Sequence, residues 1–166
     1  LVHYILQQMN RKVFRKPEEL MENIEGVTAW LKKKIQENGG DIYRETLNVI
    51  PSAEGKAWCV DDTGEYWRAY YFIENALCLD QVAGTQDFYE SAVAFGHFQR
   101  LLSDYPADTL HETIPDFHNT PDRFRKFRAA VEADVCGRAA AVQDEIRFVM
   151  EREAFTHTLM DRLAEG

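Results

Sequence analysis

From Val2 to Met9 the chain alternates, with Val2, Tyr4 and Leu6 set against His3, Ile5 and Gln7 in a run rich in β-forming residues. The pattern is that of a strand already in mid-course at Leu1, so a piece of a longer polypeptide is expected. At Pro17 the period changes. Proline at the first helical position forfeits no hydrogen bond, and Glu18 and Glu19 complement the dipole of the first turn. Leu20, Ile24, Val27, Leu31 and Ile35 then recur at three- and four-residue intervals, predicting a helix with one apolar stripe. Asn38-Gly39-Gly40 ends it, because glycine accepts a left-handed C-cap.

An antiparallel meander is predicted next, with strands at Thr46 to Pro51, Lys56 to Val60 and Glu65 to Glu74. Its turns fall at Ser52-Ala53-Glu54-Gly55 and Asp61-Asp62-Thr63-Gly64. Along the last strand Trp67, Ala69 and Tyr71 face opposite to Tyr66, Arg68, Tyr70 and Phe72, and its aromatics are expected to pack on the Pro17 to Asn38 helix. From about Gln86 every periodic segment is helical. Phe88, Ala92, Phe95, Gln99 and Leu102 mark one helix, and Thr120-Pro121 (N-cap, then proline) opens another striped by Phe124, Phe127 and Val131. A last helical region runs from about Gly137 to Ala164, its phase slipping near Glu153. The fold class is therefore α+β: a sheet bearing one helix over residues 1–76, a connector near Ile73 to Gly84, and a helical portion over 77–166.

Composition narrows the functions. Of 166 residues, 45% are hydrophobic and 28% charged, as in globular proteins, and the net charge of −9 leaves no basic surface for nucleic acid. Arg123-Phe124-Arg125-Lys126-Phe127-Arg128 reads as the solvated side of an amphipathic helix. No apolar run reaches the ~18 residues of a membrane span. Cys59, Cys78 and Cys136 are too scattered for a disulfide or zinc framework and are expected as small packing groups in a reduced, cytoplasmic setting.

There is no G-x-G-x-x-G, no P-loop, and no Asp followed five positions later by Asn. His111 and His118 bracket Glu112 and Asp116, but at no standard zinc spacing. Two readings of that loop stay open: Asp116, His118 and Asn119 order the entry into the next helix, or they hold ligand hydroxyls. Asp61 and Asp62, at a hairpin tip before Thr63-Gly64, are assigned to turn geometry.

Taken together, several stretches resemble the aminoglycoside-phosphotransferase superfamily, and within it the N-acetylhexosamine 1-kinases. They are Tyr4-Ile5-Leu6-Gln7-Gln8-Met9-Asn10, Pro17 to Ile24, Tyr66-Trp67-Arg68, Phe72-Ile73-Glu74, Ala94 to Leu102, and most specifically Leu110-His111-Glu112-Thr113-Ile114-Pro115-Asp116-Phe117-His118-Asn119-Thr120-Pro121. The resemblance implies a protein-kinase-like fold, with ATP and Mg²⁺ in the full-length protein and transfer to the anomeric hydroxyl of an N-acetylhexosamine. Choline, homoserine or an aminoglycoside are the other acceptors it allows. It makes Val2 to Met9 the strand on which an ATP-contacting lysine commonly sits. Gln7 stands there instead, so no Lys–Glu pair with Glu22 is assumed. It further implies that Phe72, Glu74 and Ala76 lie in a hinge whose backbone meets adenine, and that Asp116, His118 and Asn119 approach the sugar. The phosphate-covering turn would precede Leu1, and the catalytic loop and metal ligands would follow Gly166. No catalytic or metal-binding residue is therefore assigned, and the chain is expected to be inactive by itself. The alternative is a binding or interaction module without chemistry.

Overall fold

The computed structural model describes residues 2–165. Strand β1 (Tyr4–Gln8) is followed by helix α1 (Pro17–Glu37), the single turn α2 (Ile42–Glu45), and strands β2 (Val49–Ile50), β3 (Cys59–Val60) and β4 (Tyr66–Tyr71). The chain is mixed α and β, with a small antiparallel sheet and helices thereafter: α3 (Thr85–Leu101), α4 (Thr120–Ala133), α5 (Gln143–Met150) and α6 (Thr158–Glu165). The phase slip near Glu153 is real. A short 3₁₀ segment, Glu153–His157, separates α5 from α6.

β4 is the spine of the sheet. β1 pairs along it antiparallel, Tyr4 opposite Tyr71 and Gln8 opposite Trp67. β2 and β3 both pair antiparallel with β4 as well, at Tyr70/Ala69 and Trp67/Tyr66 respectively. They therefore run in one direction, end to end along its other edge, and the expected meander gives way to a single hairpin, β3–β4. Pro51 explains the break, since it has no N–H for the ladder. Residues 51–58 leave the edge, and the Ser52 N–H closes onto the Lys56 carbonyl at 2.7 Å. They return with Ala57 only 4% exposed, packed on Met9 and Met21.

That cluster is the core of the sheet–helix layer, with Leu20, Ile24, Val49, Trp58 and Tyr66 around it. The strand face turned to α1 carries Tyr66, Arg68 and Tyr70. Trp67 lies on the other face and donates its indole N–H to Asp61 (2.8 Å). Phe72 was expected among the packed aromatics. It follows the last residue of β4 and is 45% exposed, its ring edge-on to His3.

α1 is used on two sides. One stripe buries Met21, Leu31 and Ile35. A second, Asn23, Gly26, Trp30 and Lys34, meets the segment after α3. Trp30 donates to the Leu101 carbonyl (3.1 Å) and packs edge-on against Tyr105, Lys34 pairs with Asp104 (2.6 Å), and Asn23 clamps the His111 backbone through both its N–H and its carbonyl. These bonds hold α3 and its sequel with the sheet, and the first compact unit accordingly runs to Ile114 and the second from Pro115. The seam expected at 76/77 lies inside the first unit.

In the second unit Phe124 is buried on α4. Asp134, in the left-handed conformation, caps that helix, and its carboxylate accepts the N–H groups of Arg138 and Ala139. Among the described residues no helix is long and apolar enough to cross a membrane. Cys59, Cys78 and Cys136 are free and exposed, so the packing role expected of them is corrected: none sits in a core position.

Candidate functional site

Gln7 lies directly opposite Arg68 in the β1–β4 register, on the face that bears α1. The Arg68 guanidinium folds back over the sheet. Its Nε–H and one Nη donate to Gln7 Oε1 at 2.9 and 2.8 Å, its other Nη reaches Met21 Sδ at 3.8 Å, and its Cζ lies 5.9 Å from the Tyr70 ring centroid. Among the described residues no carboxylate pairs with Arg68. A half-buried guanidinium held by an amide, a thioether and an aromatic ring, with no carboxylate beside it among the described residues, offers free electrostatic capacity for an anion. Sequence reasoning singled out Gln7 but missed that a cation, Arg68, stands opposite it on the neighbouring strand. The signal was in the Tyr66-Trp67-Arg68 stretch, but only strand register reveals it.

Glu22 does not reach toward Gln7. Its carboxylate meets His111 Nε2 at 2.6 Å, closing the clamp that Asn23 makes on the same residue.

β4 delivers the chain into Phe72, Ile73 and Glu74, and this segment is pinned from two sides. The Phe72 N–H donates to the His3 carbonyl (3.0 Å), and Arg44 of α2 donates to the Glu74 carbonyl (2.7 Å). The Glu74 carboxylate meets His3 Nδ1 at 2.5 Å. Asn75, with φ +53°, then turns the backbone before Ala76. Ile73 forms part of the wall of a groove of about 520 Å³ whose apolar lining also includes Ile24, Val27, Leu31, Leu47 and Phe98. Gln7 and Arg68 are not among its lining residues.

Asp116, His118 and Asn119 belong to the second unit. Asn119, and not Thr120, is the N-cap of α4, its side-chain oxygen accepting the Asp122 N–H at 3.1 Å. Its Nδ2 donates to Asp116 Oδ1 (2.9 Å), and its own N–H donates to the Asp116 carbonyl (3.1 Å). Asp116 sits at φ +59°, a conformation that Asp tolerates better than most residues. The His118 ring stands edge-on to Phe117 at 4.9 Å, and Arg123 both donates to the Phe117 carbonyl and lies over its ring. Asn119 is thereby committed at both ends to shaping the loop, while the Phe117 and His118 rings stay exposed.

Asp61 serves the β3–β4 hairpin, accepting from Thr63, Glu65 and Trp67. Among the described residues no group of three or more His, Cys, Asp or Glu is arranged to hold a metal ion. The Mg²⁺ implied by the resemblance has no fitting donor set there, and no step of a reaction is assigned to it. No family model matches the chain.

Proposed function

We propose that this chain carries part of the nucleotide-binding half of an ATP-dependent small-molecule kinase, with an N-acetylhexosamine as the acceptor and a protein-kinase-like fold. The observation that carries the reading is the uncompensated Arg68 guanidinium, braced by Gln7 where the resembling family places a lysine. Arg68 would meet a nucleotide phosphate. The segment Phe72 to Glu74, pinned at both ends, sets Ile73 in the wall of an apolar groove of the kind a base requires. Choline, homoserine and aminoglycosides are the other acceptor classes for the same scaffold.

The test is titration of the chain with ATP, followed by NMR at the Arg68 Nε–H and the amides of residues 72–76. Both sets are expected to shift. Arg68→Met is expected to weaken binding about tenfold and Arg68→Lys less, since a phosphate–guanidinium pair is charge-assisted and bidentate. ATP binding indifferent to Arg68→Met, or shifts confined to other regions, would sink the assignment.

A second reading, a binding module without chemistry, draws on one observation. The loop that the resemblance assigns to the sugar uses Asn119 to cap α4 and to fasten Asp116. Under that reading Asp116→Asn lowers thermal stability and leaves sugar affinity of the full-length protein unchanged.

A further inference from the structure

Gln7 stands directly opposite Arg68 in the ladder, and of the two only Arg68 is charged. A guanidinium has five N–H donors. Two of them, the Nε–H and one on Nη2, go to Gln7 Oε1 at 2.9 and 2.8 Å, and Nη1 directs a third to Met21 Sδ at 3.8 Å. One N–H is left on each Nη. The side of the fork that Gln7 occupies is one that a carboxylate commonly takes. The acidic residues of α1 on either side of Met21 are engaged elsewhere: Glu18 accepts the Tyr66 hydroxyl at 3.1 Å, and Glu22 meets His111 Nε2 at 2.6 Å.

Glutamine has the length and shape of glutamate without its charge. Gln7 therefore gives Arg68 the geometry of an ion pair and none of the neutralisation. We propose that Gln7 is a specificity-determining residue of this site: it fixes the guanidinium by one side and spares its positive charge for a phosphoryl group, an inference that rests on the nucleotide reading above. The two remaining N–H donors suit an acceptor that carries two oxygens on one atom. Other side chains of the same length each fail in one respect. Glutamate completes the pair internally and closes the site to anions. Lysine sets a second cation against the first and has no acceptor to hold it. Methionine keeps the charge but frees the guanidinium to turn, and that freedom is then lost on binding.

Calorimetric titration of the chain with ATP tests the proposal. Gln7→Glu is expected to weaken binding about tenfold or more and to keep or raise the melting temperature, because the carboxylate accepts the same two N–H groups. Gln7→Met is expected to weaken binding only about threefold. A merely structural role reverses that order, with glutamate harmless and methionine the damaging change. Gln8→Glu adds the same charge on the other face of β1 and is expected to bind ATP within about twofold of the parent. Should Gln7→Glu fail to fold, Gln7→Met carries the test, and an affinity equal to the parent's overturns the proposal. So does Gln7→Glu binding as the parent does, or Gln8→Glu weakening ATP as much as Gln7→Glu; where Arg68→Met still abolishes binding, the nucleotide reading survives either result. If Arg68→Met leaves ATP affinity unchanged, that reading itself fails and the proposal with it.

Discussion

Four donors converge on Asp61. Its Oδ1 accepts from the Thr63 hydroxyl (2.6 Å), the Thr63 N–H (2.9 Å) and the Glu65 N–H (3.0 Å), and its Oδ2 from the Trp67 indole (2.8 Å). The Thr63 hydroxyl above all, then the Glu65 and Trp67 donors, hold the carboxyl below the usual carboxylate range. A depressed carboxyl pKa contributes stability that is complete above the unfolded value near ~4 and is lost as pH falls through the folded one. Asp61→Asn is accordingly expected to lower the melting temperature at neutral pH, and the gap to the parent should narrow as pH drops below about 4. An equal gap at both ends of that range would show that the charge contributes nothing. Arg68 is the contrasting case. Its donors meet groups that neutralise nothing, which is why it, and not Asp61, is the residue proposed to meet a phosphate.

α1 shows what periodicity reveals and what it hides. The stripe from Leu20 to Ile35, the proline at its start and the glycine after its end were legible, because each follows from local rules of helix formation. The neighbouring stripe was not, because Asn23, Trp30 and Lys34 read as ordinary surface until their partners at Leu101, Asp104, Tyr105 and His111 are known. One clue was present: Gly26 in mid-helix, where glycine costs about 1 kcal/mol relative to alanine. A Cβ there would lie 2.7 Å from the Tyr105 Oη but 3.9 Å from its Cζ. Gly26→Ala is therefore expected to destabilise the parent by about 1 kcal/mol, and to stabilise a Tyr105→Phe background by a similar amount once the hydroxyl is gone. Thermal melts of the four proteins in the cycle measure this coupling; additive effects would show that Tyr105 yields freely. The sheet was less legible than the helix. Five residues suffice for β1 to show alternation, whereas β2 and β3 hold only two each, and the register that sets Gln7 against Arg68 is written in no local pattern. Of the candidate site, Gln7 and the 72–76 segment were named only from the resemblance, not from any local pattern. The cap at Asn119 was displaced by one residue, because asparagine and threonine compete as caps and proline is tolerated throughout the first turn.

For the molecule as a whole, the two compact units meet in sequence at Ile114 and Pro115, within the stretch that carries the most specific resemblance. The residues proposed to meet a nucleotide lie before that point, and those the resemblance assigns to the sugar after it. Phosphoryl transfer rests on positioning and on neutralising developing charge. The sequence contains no Asp followed five positions later by Asn, the spacing by which kinases supply a base and a metal ligand together. Assayed as it stands with ATP, Mg²⁺ and N-acetylhexosamines, the chain is expected to release no sugar-dependent ADP. Release above the no-sugar control by the pure protein would mean that the necessary groups lie elsewhere in these 166 residues.

The excursion at 51–58 has a consequence for how the chain tolerates change. Its two ends are fastened independently, by β2 and β3 on the same strand and by the Ser52–Lys56 bond, while Ala57 anchors its return in the core. Its tip at Ala53, Glu54 and Gly55 is exposed, and Gly55 alone adopts the left-handed turn, with φ +80°. Lengthening a loop whose ends are already held costs only the slow logarithm of chain closure, about 0.6 kcal/mol for each doubling. Residues inserted after Ala53 would therefore be carried as a tether outside the ladder, which makes this tip the natural attachment point for a reporter peptide, on the edge opposite β1.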